Sequence, residues 1–237
     1  MANNLLKKKK IKTNFFIFKK IMNKKNYQIS YYKGWHNLLV LHINFPKSTK
    51  IENFFNLIES KKIEKLEKAI IITKGSFSIS KKNLSRKLKK FDCIYTKASL
   101  KDLKVQTNGR TELFIVFGSN KIKMDNKLNF FNFEKNLKKT DLWGGKCISR
   151  VFNGNGMTLV LFKLKRGFKF HDKGHKNEQL TWLIDGKMKF YVKNKSKLLK
   201  VNGTSVDIGP HDYHGGVSLG AIGFDAFSPK RLETRYS

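Results

Sequence analysis

Short apolar runs rich in Val, Ile and Phe recur along the whole chain, broken by clusters of Gly, Asn and Lys. Runs of that kind predict strands, and many in series predict an all-β sandwich or barrel. In the first half the candidates are Asn37–Phe45, Ala69–Thr73, Ser76–Ser80, Asp92–Tyr95 and Glu112–Phe117. One segment keeps a different period. From Ile51 to Leu66, the residues Phe54, Phe55, Ile58, Ile63 and Leu66 fall at helical spacing, which predicts a short helix.

The second half repeats the strand rhythm at Thr158–Lys165, Gln179–Ile184, Lys187–Val192, Leu198–Val201, Ser205–Ile208 and Gly223–Phe227. Asp185-Gly186 and Asn202-Gly203 are turn signals, and the first predicts a tight hairpin between two of these strands. There is also a faint internal repeat. Ala69-Ile-Ile-Ile-Thr-Lys-Gly75-Ser-Phe-Ser-Ile aligns with Leu180-Thr-Trp-Leu-Ile-Asp-Gly186-Lys-Met-Lys-Phe, each reading strand, glycine, strand. Two copies of one fold would produce that pattern. The 237 residues are enough for two domains of about 100–120 residues each. The expected organisation is a disordered Lys-rich terminus over 1–26, a first domain over 27–119, a polar Lys/Asn-rich linker over 120–140 and a second domain over 141–237.

Composition changes this picture little. The net charge of +33 would ordinarily suggest a nucleic-acid partner, but only six of the cations are Arg and no nucleic-acid-binding module is recognisable. The basic excess reads instead as a general bias toward Lys. It is also uneven: residues 1–140 hold 33 Lys+Arg against 9 Asp+Glu, and residues 141–237 hold 17 against 8. Cys93 and Cys147 lack metal-type spacing and read as core thiols in a reducing compartment. The apolar stretch from Asn14 to Phe18 is too short for a signal-peptide core, Met22 is a candidate alternative start, and no run reaches the length of a membrane span. A cytoplasmic protein without membrane or specific nucleic-acid partners is expected.

Candidate chemistry lies near the carboxyl end. Four of the six histidines, His171, His175, His211 and His214, fall within 44 residues, beside Glu178 and Gln179. Imidazoles and an amide or carboxylate oxygen can converge on one ion at about 2.0–2.2 Å when adjacent strands present them inward. Residues on one strand share a face only at even intervals, which admits His175 with Gln179 and turns Glu178 outward as a solvated charge. His211, at an odd interval from His214, is expected on the rim.

The stretch Gly167-Phe-Lys-Phe-His171-Asp-Lys173-Gly-His175-Lys-Asn-Glu178-Gln179, closed by Gly186, resembles the first motif of the cupins, and Gly203 to His214 resembles the second more loosely. The resemblance covers about 95 residues, from about Trp143 to Arg231, and implies an all-β fold of two tandem jelly-roll barrels. It implies one divalent ion (Zn, Mn, Fe or Ni) held by His175, Gln179 and His214. The family's first histidine would stand at Lys173; His171, two residues early, serves as the fourth ligand if the chain bends through Lys173-Gly174. In the first half the corresponding places hold Lys62, Glu64 and Lys68, so that barrel is degenerate, with a packing or dimerising role.

Phe224-Asp225-Ala226-Phe227-Ser228-Pro229-Lys230-Arg231 resembles the tail strand of the cupins that ketonise unsaturated uronates in pectin degradation. The resemblance implies a small carboxylated or sugar-acid substrate and an isomerase or lyase reaction by proton transfer. Asp225 would be the general acid/base, Arg231 the carboxylate clamp and second catalytic residue, and Phe227 part of the sugar pocket. Three alternatives stay open: an iron-dependent dioxygenase, a non-catalytic small-ligand-binding cupin, and a dimethylsulfoniopropionate-type lyase, whose tyrosine base is replaced here by Thr181.

Overall fold

In a computed structural model of the chain, residues 15–34, 38–81, 83–119 and 125–231 are described, apart from the side chain of residue 142. His36 lies outside them. The architecture is nearly all β, and the chain divides into two compact units. The first comprises residues 19–33 and 39–132, and the second residues 15–18, 34, 38 and 133–231, among the described residues.

In the first unit, β2 (Lys19–Lys24), β3 (Tyr27–Lys33), β4 (Leu39–Phe45), β6 (Lys68–Lys74), β9 (Asp92–Thr96), β11 (Thr111–Phe117) and β12 (Asn129–Asn132) form an antiparallel sheet ordered β12-β9-β6-β11-β4-β3-β2. A second sheet, β5-β10-β7-β8, uses β5 (Thr49–Ile51), β7 (Ser76–Lys81), β8 (Leu84–Lys89) and β10 (Lys104–Thr107). Inward residues of both, among them Leu41, Ile70, Ile115, Phe77, Ile79 and Val105, share one apolar core.

The helix expected over 51–66 is broken into a 3-10 turn, Phe54–Leu57, and one α-helical turn, Lys61–Glu64. Asn53 is in the left-handed region (φ 56°), and extended Ser60 caps the second turn by accepting from Ile63 N. The residues at helical spacing still point inward, with Phe54, Phe55, Ile58 and Ile63 buried.

In the second unit, β1 (Phe15–Ile17), β13 (Lys139–Leu142), β14 (Cys147–Asn153), β15 (Thr158–Leu164), β17 (Glu178–Val192), β19 (Thr204–Ile208) and β20 (His214–Ser228) run in the order β1-β19-β17-β20-β15-β14-β13. Two shorter strands, β16 (Lys169–Asp172) and β18 (Lys195–Lys200), pair with β20 and β17. Three expectations are corrected here. Disorder over 1–26 does not hold for residues 15–24, which form β1 and β2, because Phe15 and Phe16 bury against this unit's sheet. The stretch expected as a linker contributes β12 and β13, and its Phe133 is fully buried against Phe224.

The third correction concerns Asp185-Gly186, which does not close a hairpin. It lies inside the 15-residue β17, which pairs with β20 on both sides of it through register shifts at Leu183/Asp185 and Gly186/Met188. A bulge bends a strand and sharpens its twist, turning one long strand around a barrel corner. Gly186 is obligatory there. Its φ is +72°, and a Cβ would stand 1.8 Å from Gly220 O.

The faint repeat is matched in three dimensions. Gly75 (φ +74°) separates β6 from β7, and a Cβ there would meet Arg110 O at 2.3 Å. Lys68, Ile70 and Ile72 pair with Phe117, Ile115 and Leu113, as Gln179, Thr181 and Leu183 pair with Phe227, Asp225 and Gly223. The register even shifts at the same step, past residue 73 in one unit and residue 184 in the other.

Candidate metal centre

Strands β17 and β20 position the polar cluster of the second unit. Alternation along β17 turns Gln179 and Thr181 to one face, and Asp225 stands opposite Thr181 on β20. All three are buried. The Gln179 amide nitrogen donates to Thr181 Oγ1 (2.9 Å) and to Asp225 Oδ1 (3.1 Å), and the Thr181 hydroxyl donates to the same Asp225 oxygen (2.6 Å). These bonds fix the amide so that Gln179 Oε1 faces His175 Nε2 at 2.9 Å.

His214, the first residue of β20, packs edge-to-face with His175 at 5.3 Å between ring centroids. Its Nδ1 donates to the backbone oxygen of Asp212 (2.9 Å), which leaves Nε2 with a lone pair. Burial pushes the His175 imidazole down to about 4, helped by the charge of Arg231, and burial lowers His214 as well. Both rings are therefore neutral near pH 7, the form in which imidazole binds a cation. Burial raises Asp225 to about 6, against the opposing hydrogen bonds from Thr181 and Gln179.

His175 Nε2 and Gln179 Oε1 are hydrogen-bonded at 2.9 Å. Two donors at right angles on an ion at about 2.1 Å also stand about 3 Å apart, so the pair could exchange its hydrogen bond for a divalent ion without moving apart. Among the described residues no three His, Cys, Asp or Glu side chains are gathered to hold a metal. The candidate set is thus two histidines and an amide, His175, His214 and Gln179.

His171 is not gathered with them. The chain does bend at Gly174 (φ +100°), whose amide donates to Asp172 Oδ1, but the bend brings Asp172 to the buried side and leaves His171 exposed, its Nδ1 2.7 Å from the Tyr191 hydroxyl. Lys173 is exposed too. Glu178 faces away from Gln179 as alternation requires, yet it is not solvated: it is fully buried, and its Oε2 accepts from Leu38 N (3.3 Å). His211 is exposed.

The tail-strand residues are split. Asp225 lines a cavity of about 270 Å³ beside Gln179, Thr181, His214 and Asp172. Arg231 is buried, reaches Asp172 Oδ2 at 3.3 Å and lies over the Phe227 ring at 5.0 Å. Phe227 packs on His175, with centroids 5.5 Å apart. Arg231, Phe227 and His175 do not line the cavity, whereas His171 does. Sequence reasoning missed Asp172 and the aromatic wall described below, although Phe168-x-Phe170-x-Asp172 carries the period-2 signal that would have placed all three inward.

No protein-family model matches the chain, and no curated protein sequence matches it. Solved structures do resemble it. YlbA from E. coli superposes with a TM-score of 0.70 at 12% identity, over 98% of this chain and 99% of that one. Oxalate decarboxylase from Lactobacillus farciminis, in a formate complex, gives 0.69 at 10% identity, over 96% and 89%. Oxalate decarboxylase from Bacillus subtilis, described for its Mn(II) centres, gives 0.66 at 9% identity, over 95% and 80%. Among the described residues no helix is long and apolar enough to cross a membrane. At such low identities the likeness shows the fold alone, an all-β jelly-roll architecture.

Proposed function

We propose that the second unit is a metal-dependent enzyme that moves a proton within a small oxygen-bearing substrate, an isomerase or lyase type of reaction. The observation that carries this reading is the joint placement of Asp225 and the His175–Gln179–His214 set, with Gln179 bonded to both sides. Fold neighbours that include oxalate decarboxylases, one with Mn(II) centres, support the metal part of the reading.

A divalent ion held by His175, Gln179 and His214 would polarise a substrate hydroxyl or carbonyl and so lower the cost of negative charge there. Asp225 takes or returns the proton as general acid/base: it is buried, it lines the cavity, and both of its donors leave Oδ2 for the substrate. Thr181 is a positioning residue, since its hydroxyl orients the carboxylate. Arg231 is paired with Asp172 and does not line the cavity, and its charge acts on both histidines, which supports a role in setting the charge around them rather than gripping a substrate carboxylate.

The test is metal content. Purified parent protein is expected to bind a stoichiometric divalent ion, and His175→Ala or His214→Ala should each lower that affinity by more than the roughly 10–100-fold typical of losing an outer-shell partner. Full occupancy in both variants would overturn the ligand set.

A further inference from the structure

The proposed reaction leaves the substrate's body unspecified, and the cavity walls speak to it. Trp143, 57% exposed, stands at the open end with its ring 5.2 Å from Phe168. Phe168 stacks on Phe170 (6.3 Å, 16°), Phe170 meets Phe190 edge-on (5.7 Å), and Phe190 lies parallel to the His214 imidazole (6.1 Å, 10°). A row of rings therefore leads from solvent to a candidate metal ligand. Phe168 and Phe170 are there because alternation about β16 turns them inward with Asp172 and leaves Lys169 exposed, while His171, though exposed, also borders the cavity.

The second observation is electrostatic. The chain carries 50 Lys and Arg, yet among the described residues lining this cavity none is Lys or Arg, while Asp172 and Asp225 both are. A carboxylate entering here would shed water along an apolar wall and, beyond an ion at His175, Gln179 and His214, would face the carboxyl groups of Asp172 and Asp225 with no Lys or Arg beside them, which is costly. A polyhydroxylated ring would need a partner for each hydroxyl, and along Phe168, Phe170 and Phe190 there is none. A flat apolar body, by contrast, gains both burial and ring stacking.

Resting on the proton-transfer reading, we infer that this site takes a small neutral molecule with an aryl or other flat apolar body and a hydroxyl or carbonyl head. The body lies along Trp143, Phe168 and Phe170, and the head meets Gln179, His214 and Asp225. Negative charge then develops on the head only as its proton leaves for Asp225. The sugar-acid substrate suggested by the tail strand is thereby disfavoured.

The experiment is calorimetric titration of full-length, Mn(II)-supplemented protein with three probes: 2-hydroxyacetophenone, benzoate and D-galacturonate. The hydroxyketone is expected to bind at least about tenfold more tightly than either acid. Trp143→Ser, a change at an exposed position, should weaken it about fivefold with Mn(II) content unchanged, and Phe170→Ser should do the same at a temperature where its circular dichroism shows it folded. Galacturonate or benzoate binding as tightly as the hydroxyketone, no hydroxyketone binding, or unaltered affinity in both wall variants would overturn the inference. Failure of the underlying metal reading shows itself separately, as a parent protein that binds no Mn(II).

Discussion

Where Gln179, Thr181 and Asp225 build a polar cluster in the second unit, the first unit has Lys68, Ile70 and Ile115 at the matching registers of β6 and β11. Ile70 and Ile115 are fully buried in a filled apolar core. Lys68 is also fully buried, and all three of its ammonium hydrogens are used: on Glu59 Oε1 (2.6 Å), Glu64 O (3.0 Å) and Ala98 O (2.9 Å). Glu59 in turn accepts from Leu100 N through its other oxygen (2.9 Å). One strand pairing thus supports two different interiors. In the first unit the polar position is closed by an ion pair whose every group is satisfied. In the second it stays lined by groups aimed at a cavity. The lesson is that the bulged β17/β20 frame sets position, while two or three side chains decide whether that position can react.

The comparison can be broken most severely at Lys68. Lys68→Ala leaves Glu59 buried without its cation and should cost about 3–5 kcal/mol of stability, read by denaturant unfolding. Metal content of the second unit should not change. Lys68→Met combined with Glu59→Gln, which keeps an acceptor for Leu100 N, should recover most of the loss; a double variant as unstable as the single one would show that the pair does more than fill the position. In the second unit the expected effect is on rate. Asp225→Asn should retain the metal and slow solvent-deuterium exchange into a bound hydroxyketone by about a hundredfold, measured by NMR. Exchange at the parent rate would remove Asp225 from the chemistry.

The smallest effect sharpens the contrast through the two thiols. Cys147 lines the second unit's cavity and is pushed up to about 12 by burial, while Cys93 is fully buried in the first unit and is raised well above the ordinary thiol range by the same cause. With iodoacetamide at about pH 8, both should react far more slowly than in denaturant, and Cys147 should react before Cys93. Equal rates in the folded protein would mean that the two interiors are equally closed.

Much of this was legible in the sequence, because strand alternation and glycine placement are local. The pairing of His175 with Gln179, the outward Glu178 and the match of Gly75 to Gly186 all follow from counting residues. The failures share one physical cause, a distant partner. Asp185-Gly186 has the chemistry of a tight turn, and only the long β20 alongside keeps it inside one strand. Counting predicted that a bend at Gly174 would carry His171 inward; the bend exists, but its hydrogen bond to Asp172 exchanges which neighbour is buried. Glu178 is buried by Leu38, 140 residues away in sequence. Arg231 reads as a clamp in the sequence alone, where nothing shows its contact to Asp172.

The position of β1 bears on how the protein is made. Phe15, Phe16 and Ile17 pair with Val206, Ser205 and Thr204, so a strand synthesised ahead of the rest of its unit waits for an edge synthesised about 190 residues later. During translation Phe15 and Phe16 have no sheet to join, and β19, once made, shows an open edge until they arrive. A ribosome starting at Met22 would release a chain in which that edge is never covered. Fusion partners placed ahead of Phe15 would crowd the closing step of the same unit that carries the candidate metal centre, whereas the opposite edge strand β13 is made in sequence with its neighbour β14.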